Sequence, residues 1–366
     1  MHRALNPGDA EYFLPVPDWP EKLVLPPRPP HLVHVDLAHW IRFGRVVQGR
    51  GDSEYARLLD ALRTAVVARR IRIVLSGAQY REILKIKDPA QRQALAEIVE
   101  ELTDFTYLAG HVEIMRLEME CTLNRLTPTT GIDWTAIDLL GQSALNVVGR
   151  KGGLRIMQEG EDVTASLLAE DPEWEARLAA MNRMAEQMLL RGPSDEEAEE
   201  IRADGYAPER AEQQLVNNAT LENAWSEQIA PHRANYSLRR LVSARYLYLE
   251  LNEMLAAELQ ARGLRLEDLF PSPEHADRFV LSMPSSAVTV SMKAQYHQDA
   301  SRVWTANDMY DIDALALSLP YCDVVFADAS TRDAAIRRGL DRHFSTFLPR
   351  KPADLVEHLQ RPSQAS

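Results

Sequence analysis

Several features that would assign the chain to a common class are missing from its sequence. The 366 residues include only two cysteines, Cys121 and Cys322, which are far apart and form neither a CxxC pair nor a Cys/His zinc pattern. Residues 1–7 contain no apolar signal core, and no run approaches the roughly 18–20 apolar residues of a membrane span. We therefore expect a protein of the reducing cytoplasm, without membrane contact, whose two thiols are structural.

The sequence also lacks an excess of positive charge and the glycine-rich loops that hold nucleotide phosphates. The formal net charge is −13, which argues against a general nucleic-acid coat, because phosphate contacts supply most non-specific affinity. Neither a Walker loop nor a GxGxxG motif occurs. One local strip, residues 332–351, carries six bases against two acids. This strip is either an ordinary solvated helix face or a surface that positions a phosphodiester.

What the chain does have is an α/β pattern at both ends. Residues 32–36 and 71–76 are β-type runs, with a helical pattern over 53–69 between them and another helix beginning near Ala78. After residue 280 we predict a helix at 308–319, strands at 324–327 and 344–347, and a closing helix at 353–359. Alternating strands and helices favour a parallel sheet with right-handed crossovers. Neither end has enough strands for a normal sheet, so one shared sheet is preferred over two separate small domains.

This pattern divides the chain into four parts. Residues 1–30 are proline-rich and predict an extended strap. Residues 31–92 and 281–366 are expected to form the two halves of one α/β domain, and residues 93–280, with long helical periodicity, a large α-helical insertion. Because the insertion is acidic, we expect it to face protein or solvent rather than nucleic acid. It is the part through which a protein partner or a second copy of the chain would bind.

Carboxylates recur where the predicted strands end and the next helices begin. Asp36 follows the first strand and Glu82 lies on the helix after the second, whereas Asp311 opens a later helix and Asp328 ends the strand after it. The carboxyl ends of parallel strands line one crevice, so we expect these four side chains to converge. Crowded carboxylates repel one another and lose hydration unless a cation compensates them. Ligation by oxygen alone selects hard cations such as Mg²⁺ or Mn²⁺.

Three further residues are weaker candidates. Asp308 lies on the ligand side of its helix and is an additional candidate metal ligand, although it can equally cap that helix. Asn307 and Arg332 are candidate substrate contacts, and a helix cap is the simpler role for Asn307. Asp313 and Asp323 are expected to be structural. Each acid alone has an ordinary explanation as a cap or a surface residue, so the argument for a site depends on their convergence.

The same residues resemble a known nuclease family, the PIN-domain nucleases. The residues that carry the resemblance are Val35-Asp36 after a strand, Glu82 on the next strand–helix unit, Asp311 opening a helix, and the run Val324-Val325-Phe326-Ala327-Asp328. The stretch 307–325, preceded by the turn Met283-Pro284, is similar to a PIN-like branch found in bacterial proteins. The similarity covers residues 31–90 and 281–360, about half of the chain.

The resemblance implies a Rossmann-like three-layer PIN-type fold with a mainly parallel sheet, Mg²⁺ or Mn²⁺ in an acidic pocket, and endonucleolytic hydrolysis of RNA, usually single-stranded. It makes Asp36 and Asp328 metal ligands, with Glu82 and Asp311 completing the catalytic cluster by holding a second metal or orienting the attacking water. The long insertion and Ala329, where another polar residue is common, depart from the family pattern.

Three functions therefore stay open. The first is a metal-dependent endoribonuclease, with a toxin or defence effector as one form of it. The second is a catalytically silent PIN-like binding or scaffold protein. The third is a metal-dependent phosphohydrolase that acts on DNA or on nucleotides. An intact set of four acids favours catalysis over the scaffold, and nothing in the sequence separates RNA from DNA.

Overall fold

The computed structural model describes residues 14–149, 154–171, 173–193, 195–202, 208–232 and 237–361, which form a mixed α/β structure with more helix than strand. The strands are β1 Leu23–Val24, β2 His31–Val35, β3 Ile71–Val74, β4 Tyr107–Leu108, β5 Ile137–Asp138, β6 Leu140–Gly141, β7 Met157–Gln158, β8 Glu161–Asp162 and β9 Val324–Phe326. The helices of the first half are α1 Leu37–Val47, α2 Ser53–Val67, α3 Gly77–Leu84, α4 Pro89–Thr103, α5 His111–Leu126, α6 Thr164–Glu170 and α7 Glu173–Arg191. Those of the second half are α8 Asp195–Arg202, α9 Pro208–Ile229, α10 Leu238–Leu249, α11 Asn252–Arg262, α12 Leu266–Leu269, α13 Pro273–Ser282, α14 Pro284–Gln298, α15 Ala306–Tyr321, α16 Ala329–Arg337, α17 Leu340–Phe344 and α18 Pro352–Gln360.

The central sheet combines strands from both ends of the chain. Its order is β3-β2-β9, and both pairings are parallel. Val33 of β2 lies opposite Ile73 on one side and Val324 on the other. The strands expected at 32–36, 71–76 and 324–327, and their sharing of one parallel sheet, are therefore confirmed.

Helices cover both faces of this sheet, because successive side chains of each strand point to opposite faces. Val33 and Val35 pack with Trp40 and Leu58 in a core formed with α1, α2, α4 and α18. Leu32 packs in the other core, which contains residues of α5, α10, α14 and α15. The strands are buried on both faces, as the continuous apolar runs in the sequence indicate for a parallel sheet.

Two sequence predictions need correction at the edges of the sheet. The strand expected at 344–347 is wrong for Phe344, which ends α17, and only Phe347 forms a parallel bridge, to Val324. The predicted boundary after residue 92 falls inside α4, and Tyr107 of β4 forms a parallel bridge to Leu75. Residues 93–280 are therefore not purely helical, since β4 lies beside β3.

The N-terminal strap is described from residue 14, so residues 1–13 lie outside the described part. Its described portion is mostly irregular, and β1 pairs in parallel with β5. Lys22 of the strap bonds to Glu120 of α5 at 2.5 Å. The strap is therefore held against the helices that follow the sheet.

A buried carboxylate joins three helices beneath the sheet. Glu118 of α5 is fully buried and accepts hydrogen bonds from the Ser285 hydroxyl at 2.6 Å and the Tyr321 hydroxyl at 2.7 Å. The backbone N–H of Ser285 also donates to it, at 3.1 Å. Glu118 thus satisfies a backbone donor at the start of α14 and holds α14 to the end of α15. None of the helices in the described ranges is both long enough and apolar enough to span a bilayer.

Candidate active site

Two of the predicted acids follow neighbouring strands at the same edge of the sheet. The backbone N–H of Asp36 donates to the Phe326 carbonyl at 2.9 Å, so the β2–β9 ladder continues to the residue where α1 begins. Asp328 is the N-cap of α16, two residues after β9 ends. Each strand is a short apolar run that stops at an acid followed by a helix. This local pattern places both carboxylates at the carboxyl edge of the sheet.

The two carboxylate oxygens of Asp328 have different surroundings. Its Oδ1 accepts hydrogen bonds from the backbone N–H groups of Ser330 at 2.8 Å and Thr331 at 3.3 Å, which caps α16. Its Oδ2 is shielded from solvent and has no hydrogen-bond partner among the described residues. A buried carboxylate oxygen without a partner carries a desolvation cost. It is therefore an atom that a bound cation or water would stabilise.

Glu82 reaches the same edge because α3 is fixed to the end of β2. Ser76 and Gln79 form a capping box at the start of α3, and the side-chain amide of Gln79 donates to the carbonyl of Val35. Glu82 follows Gln79 by three residues, which is nearly one helical turn. This anchor places Glu82 on the side of α3 that faces Asp36, whose charge acts on it.

Asp311 comes from the first turns of α15 and is tied to α16. Its Oδ2 accepts a hydrogen bond from the Thr331 hydroxyl at 3.2 Å. Thr331 is also one of the residues that Asp328 caps. Thr331 therefore links two of the predicted acids, donating to Asp328 through its backbone N–H and to Asp311 through its hydroxyl.

Burial and mutual repulsion raise the pKa values of three of the four acids. Burial first, and then the charge of Asp328, raises the pKa of Asp36 to about 6. Burial and the charge of Asp36 raise the pKa of Glu82 to about 8. For Asp311 burial again comes first, and its pKa rises to about 8 because of three further charges, those of Asp36, Asp328 and Glu82. The four carboxylates predicted to converge thus interact electrostatically.

Lys85 and Arg81, two bases whose charges act on Glu82, form their ion pairs with other acids. Lys85 lies 3.5 Å from Glu212, and its ammonium group lies 4.3 Å from the centre of the Tyr310 ring. Arg81 pairs with Asp313 at 3.5 Å. Within the described residues, no Lys, Arg or His forms an ion pair with any of the four carboxylates. Among the described residues, this edge of the sheet therefore brings together four acids without a paired base.

As the side chains stand, they do not form a complete ligand set. Across the residues that the structure describes, no three His, Cys, Asp or Glu side chains are grouped so that they could hold a metal ion. One oxygen of Asp328 caps α16 and one oxygen of Asp311 accepts the bond from Thr331. Like charges without a compensating cation favour side-chain positions that keep the carboxylates apart. A ligand set would therefore require changes in side-chain torsion angles.

Asp308 is separate from this cluster. Its Oδ2 accepts bonds from the backbone N–H of Thr305 at 2.7 Å and from the Thr305 hydroxyl at 2.8 Å, which completes a capping box on α15. Its Oδ1 pairs with Arg302. Both oxygens are occupied, and Asp308 does not contribute to the raised pKa values of Asp36, Glu82 or Asp311.

The two candidate substrate contacts differ in their surroundings. Asn307 is exposed in the first turn of α15. The Nε of Arg332 donates to the Leu348 carbonyl at 3.0 Å, and its Nη1 pairs with Asp333 at 2.7 Å. Arg332 therefore ties α16 to the segment before α18.

The two acids expected to be structural have structural contacts. Asp323 accepts a bond from the backbone N–H of Leu32 at 2.7 Å and pairs with Arg28 at 2.5 Å. Asp313 faces Arg81, on the side of α15 away from Asp311.

A histidine that the sequence reasoning missed supports this edge of the sheet. His39 stacks on Phe326, with ring centres 3.6 Å apart and an interplanar angle of 3°. Its Nδ1 lies 2.7 Å from the Tyr55 hydroxyl, and its Nε2 lies 3.2 Å from the carbonyl of Ala327, which precedes Asp328. Burial lowers the pKa of His39 to about 4, so the ring is neutral at pH 7. The available signal was its position three residues after Asp36, one helical turn along α1.

Comparisons with protein-family models, with curated proteins and with solved structures find no match to this chain. Four carboxylates from distant segments interact at one sheet edge without a paired base, and one of them has an orphaned oxygen. Such a group can attract a hard cation, and its raised pKa values allow proton transfer near neutral pH.

Proposed function

We propose that the chain is a metal-dependent endoribonuclease with a Rossmann-like, three-layer PIN-type domain. The observation that carries the proposal is the electrostatic interaction of Asp36, Glu82, Asp311 and Asp328 at the carboxyl edge of a parallel sheet. Their spacing in the sequence spans most of the chain, so chance clustering along one helix does not explain it. The resemblance of the same residues to the PIN-domain nucleases supports RNA, usually single-stranded, as the substrate.

The donor set fits Mg²⁺ or Mn²⁺. All four side chains offer only oxygen, which hard cations prefer, and Oδ2 of Asp328 has no other partner among the described residues. Asp36 and Asp328 would be the primary ligands, with Glu82 and Asp311 completing the cluster. Such an ion, when bound, supplies an activated water and neutralises charge on the phosphate.

The chain's own residues have distinct roles in this proposal. In the metal-free chain the pKa values of Glu82 and Asp311 are both raised to about 8, so both carboxyl groups hold protons at neutral pH that a bound cation would displace. In the metal-free chain Thr331 donates to one oxygen of Asp311, which leaves the other oxygen of that carboxylate for a cation. His39 bonds to the carbonyl of Ala327 and so fixes the backbone just before Asp328. His39 and Thr331 are positioning residues rather than catalytic ones.

One observation favours a second candidate, the catalytically silent PIN-like scaffold. The described side chains as they stand form no ligand set, and a scaffold that never binds a cation needs none. The two functions make different predictions about added metal, because only the nuclease gains activity from it. A DNA-directed or nucleotide-directed phosphohydrolase would use the same acids and differs only in substrate.

The direct test is cleavage of end-labelled single-stranded RNA by the full chain with Mn²⁺, Mg²⁺ or EDTA, with single-stranded DNA in parallel. We expect RNA cleavage with either metal and none in EDTA. Asp311→Asn and Asp328→Asn should abolish it, whereas the matched control Asp308→Asn should retain it. A wild-type chain inactive on both nucleic acids with both metals would refute the nuclease. Cleavage by Asp311→Asn and Asp328→Asn at the wild-type rate would refute the site assignment.

A further inference from the structure

A cleft lies on the opposite side of α15 from the acid cluster. It has a volume of about 930 Å³, and it is bordered by α3, α5, α9, α10, α14 and α15. Met309, Asp313 and Leu317 line it from α15 at intervals of four residues. Asp311 is about 200° around the helix from Asp313, so the two aspartates lie on different faces of α15. The volume is in the range of about 300–1,000 Å³ that is usual for small-molecule sites.

The floor of the cleft is a buried network of charges. Lys293 of α14 is 8% exposed and Glu222 of α9 is 3% exposed. The ammonium group of Lys293 lies 2.6 Å from Glu250 and 3.2 Å from Glu222. Arg245 donates to both oxygens of Glu222, at 2.8 and 2.7 Å. His297 adds a further contact at 3.0 Å, so the acceptor capacity of Glu222 is fully used.

Nitrogen atoms on the walls of the cleft are less well satisfied. The Nη2 of Arg81 is 3.5 Å from Asp313, which is longer than a normal hydrogen bond, and the side chain is 46% exposed. The Nε2 of His111 is shielded from solvent and has no partner among the described residues. Arginine offers five N–H donors, and among the described residues only the Nε of Arg81 has a normal bond, at 3.2 Å to the Gly77 carbonyl. Arg81 and the Nε2 of His111 therefore retain hydrogen-bonding capacity that a ligand could use, beside the Asp313 carboxylate.

The rest of the lining mixes polar and apolar side chains, and apolar residues lie at the mouth and on the inner wall. Leu221 of α9 is 58% exposed and Leu249 of α10 is 56% exposed, and both border the cleft. Met309 and Ile312 of α15 form part of its inner wall. A few convergent donors within apolar walls are typical of sites for small organic molecules.

We propose that this cleft binds a small molecule of about nucleotide size that carries an oxyanion on an apolar ring system. The oxyanion would accept from Arg81 and His111, and the ring system would pack between Leu221, Met309 and Ile312. This binding site is separate from the acid cluster and does not depend on the proposed nuclease function. A ligand there would contact Arg81, which directly precedes Glu82 in the sequence. It would also contact Asp313, which lies two residues after Asp311.

The test is calorimetric binding of adenosine 5′-monophosphate to the full chain in EDTA, so that metal-dependent binding at the acid cluster is excluded. Adenosine, which lacks the oxyanion, and inorganic phosphate, which lacks the ring, serve as the two partial probes. We expect each partial probe to bind at least about tenfold more weakly than the nucleotide, because each loses one class of contact. Inorganic phosphate or adenosine binding as tightly as the nucleotide would refute the proposal, as would failure of the nucleotide to bind.

Paired variants locate the site. Arg81→Gln should weaken nucleotide binding about tenfold, and Leu221→Trp should abolish it by filling the mouth. Arg63→Gln is the matched control for the first, since Arg63 is a partly exposed, ion-paired arginine on α2. Val216→Trp is the control for the second, since Val216 is exposed on the same helix but does not line the cleft. Equal nucleotide affinities of each variant and its control would overturn the assignment.

Discussion

Replacing Asp311 by asparagine should stabilise the metal-free protein, although it removes a residue of the proposed active site. The pKa of Asp311 rises from 3.8 to about 8 because the carboxylate is buried and because Asp36, Asp328 and Glu82 repel it. The folded chain therefore keeps this proton up to about pH 8, whereas the unfolded chain releases it near pH 4. Wherever the folded state binds more protons, the free energy of unfolding falls as pH rises. The metal-free protein should lose stability across the interval from about pH 4 to about pH 8.

The shift sets an upper limit on the size of this effect. A pKa difference of about four units corresponds to about 6 kcal/mol above pH 8, at about 1.4 kcal/mol per unit. The repulsion is shared among several carboxyl groups. Removing the charge of Asp311 therefore lowers the repulsion on Asp36 and Glu82 only in part, and the gain is smaller than this limit. Asparagine keeps the size of the side chain and can accept the bond from Thr331. We therefore expect a gain in the free energy of unfolding of about 2 kcal/mol at pH 8.5, or about 3 °C in Tm for a chain of this size.

Thermal unfolding of both proteins in EDTA, from pH 6 to pH 9, measures the effect. The Tm of the wild type should fall more steeply with pH than that of Asp311→Asn, and the two curves should separate most above pH 8. Asp308→Asn is the control, because Asp308 caps α15 and pairs with Arg302, so its loss should lower Tm at every pH. Equal slopes for wild type and Asp311→Asn, or a less stable Asp311→Asn at pH 8.5, would refute the electrostatic account of the site.

Three further predictions concern residues around this edge and beneath the sheet. Asp308→Ala should lower the free energy of unfolding in urea by about 1 kcal/mol, because the capping box of α15 is lost. The rate of RNA cleavage should stay within about threefold of the wild type. Glu118→Ala should lower the free energy of unfolding by about 3 kcal/mol, because it leaves the buried donors of Ser285 and Tyr321 unpaired. Glu118→Gln should lower it by less than half of that in the same assay. His39→Phe keeps the stack on Phe326 but loses both hydrogen bonds, so kcat for RNA cleavage should fall about tenfold with a change in Tm of less than about 2 °C.

The parts of the fold that could be predicted are those in which local and long-range signals agree. Apolar runs ending at Asp36 and Asp328 are short enough to be strands and are each followed by a helical pattern, so the sheet edge follows from the topology of parallel strands. The position of Glu82 follows because α3 begins directly after β3, at the capping box formed by Ser76 and Gln79.

Other features depend on contacts that no local pattern specifies. β4 has only two residues, and its position follows from its bridge to Leu75 rather than from its own sequence. His39 reaches Ala327 only because α1 packs against the end of β9, nearly the whole length of the chain away. The role of Asp308 is ambiguous in the sequence, because a capping residue and a metal ligand can occupy the same helix position. Thr305, three residues earlier, is the signal that favours a capping box.

The central claim is that Asp36, Glu82, Asp311 and Asp328 form one cation site. Binding of Mn²⁺ at pH 7.5, followed by the loss of the free-ion electron paramagnetic resonance signal, tests it most directly. We expect the wild type and Asp308→Asn to bind at least one equivalent with similar affinity, and we expect Asp311→Asn and Asp328→Asn to bind at least about tenfold more weakly. A wild type that leaves Mn²⁺ free in solution, or Asp311→Asn and Asp328→Asn variants that bind it as tightly as the wild type, would contradict the claim.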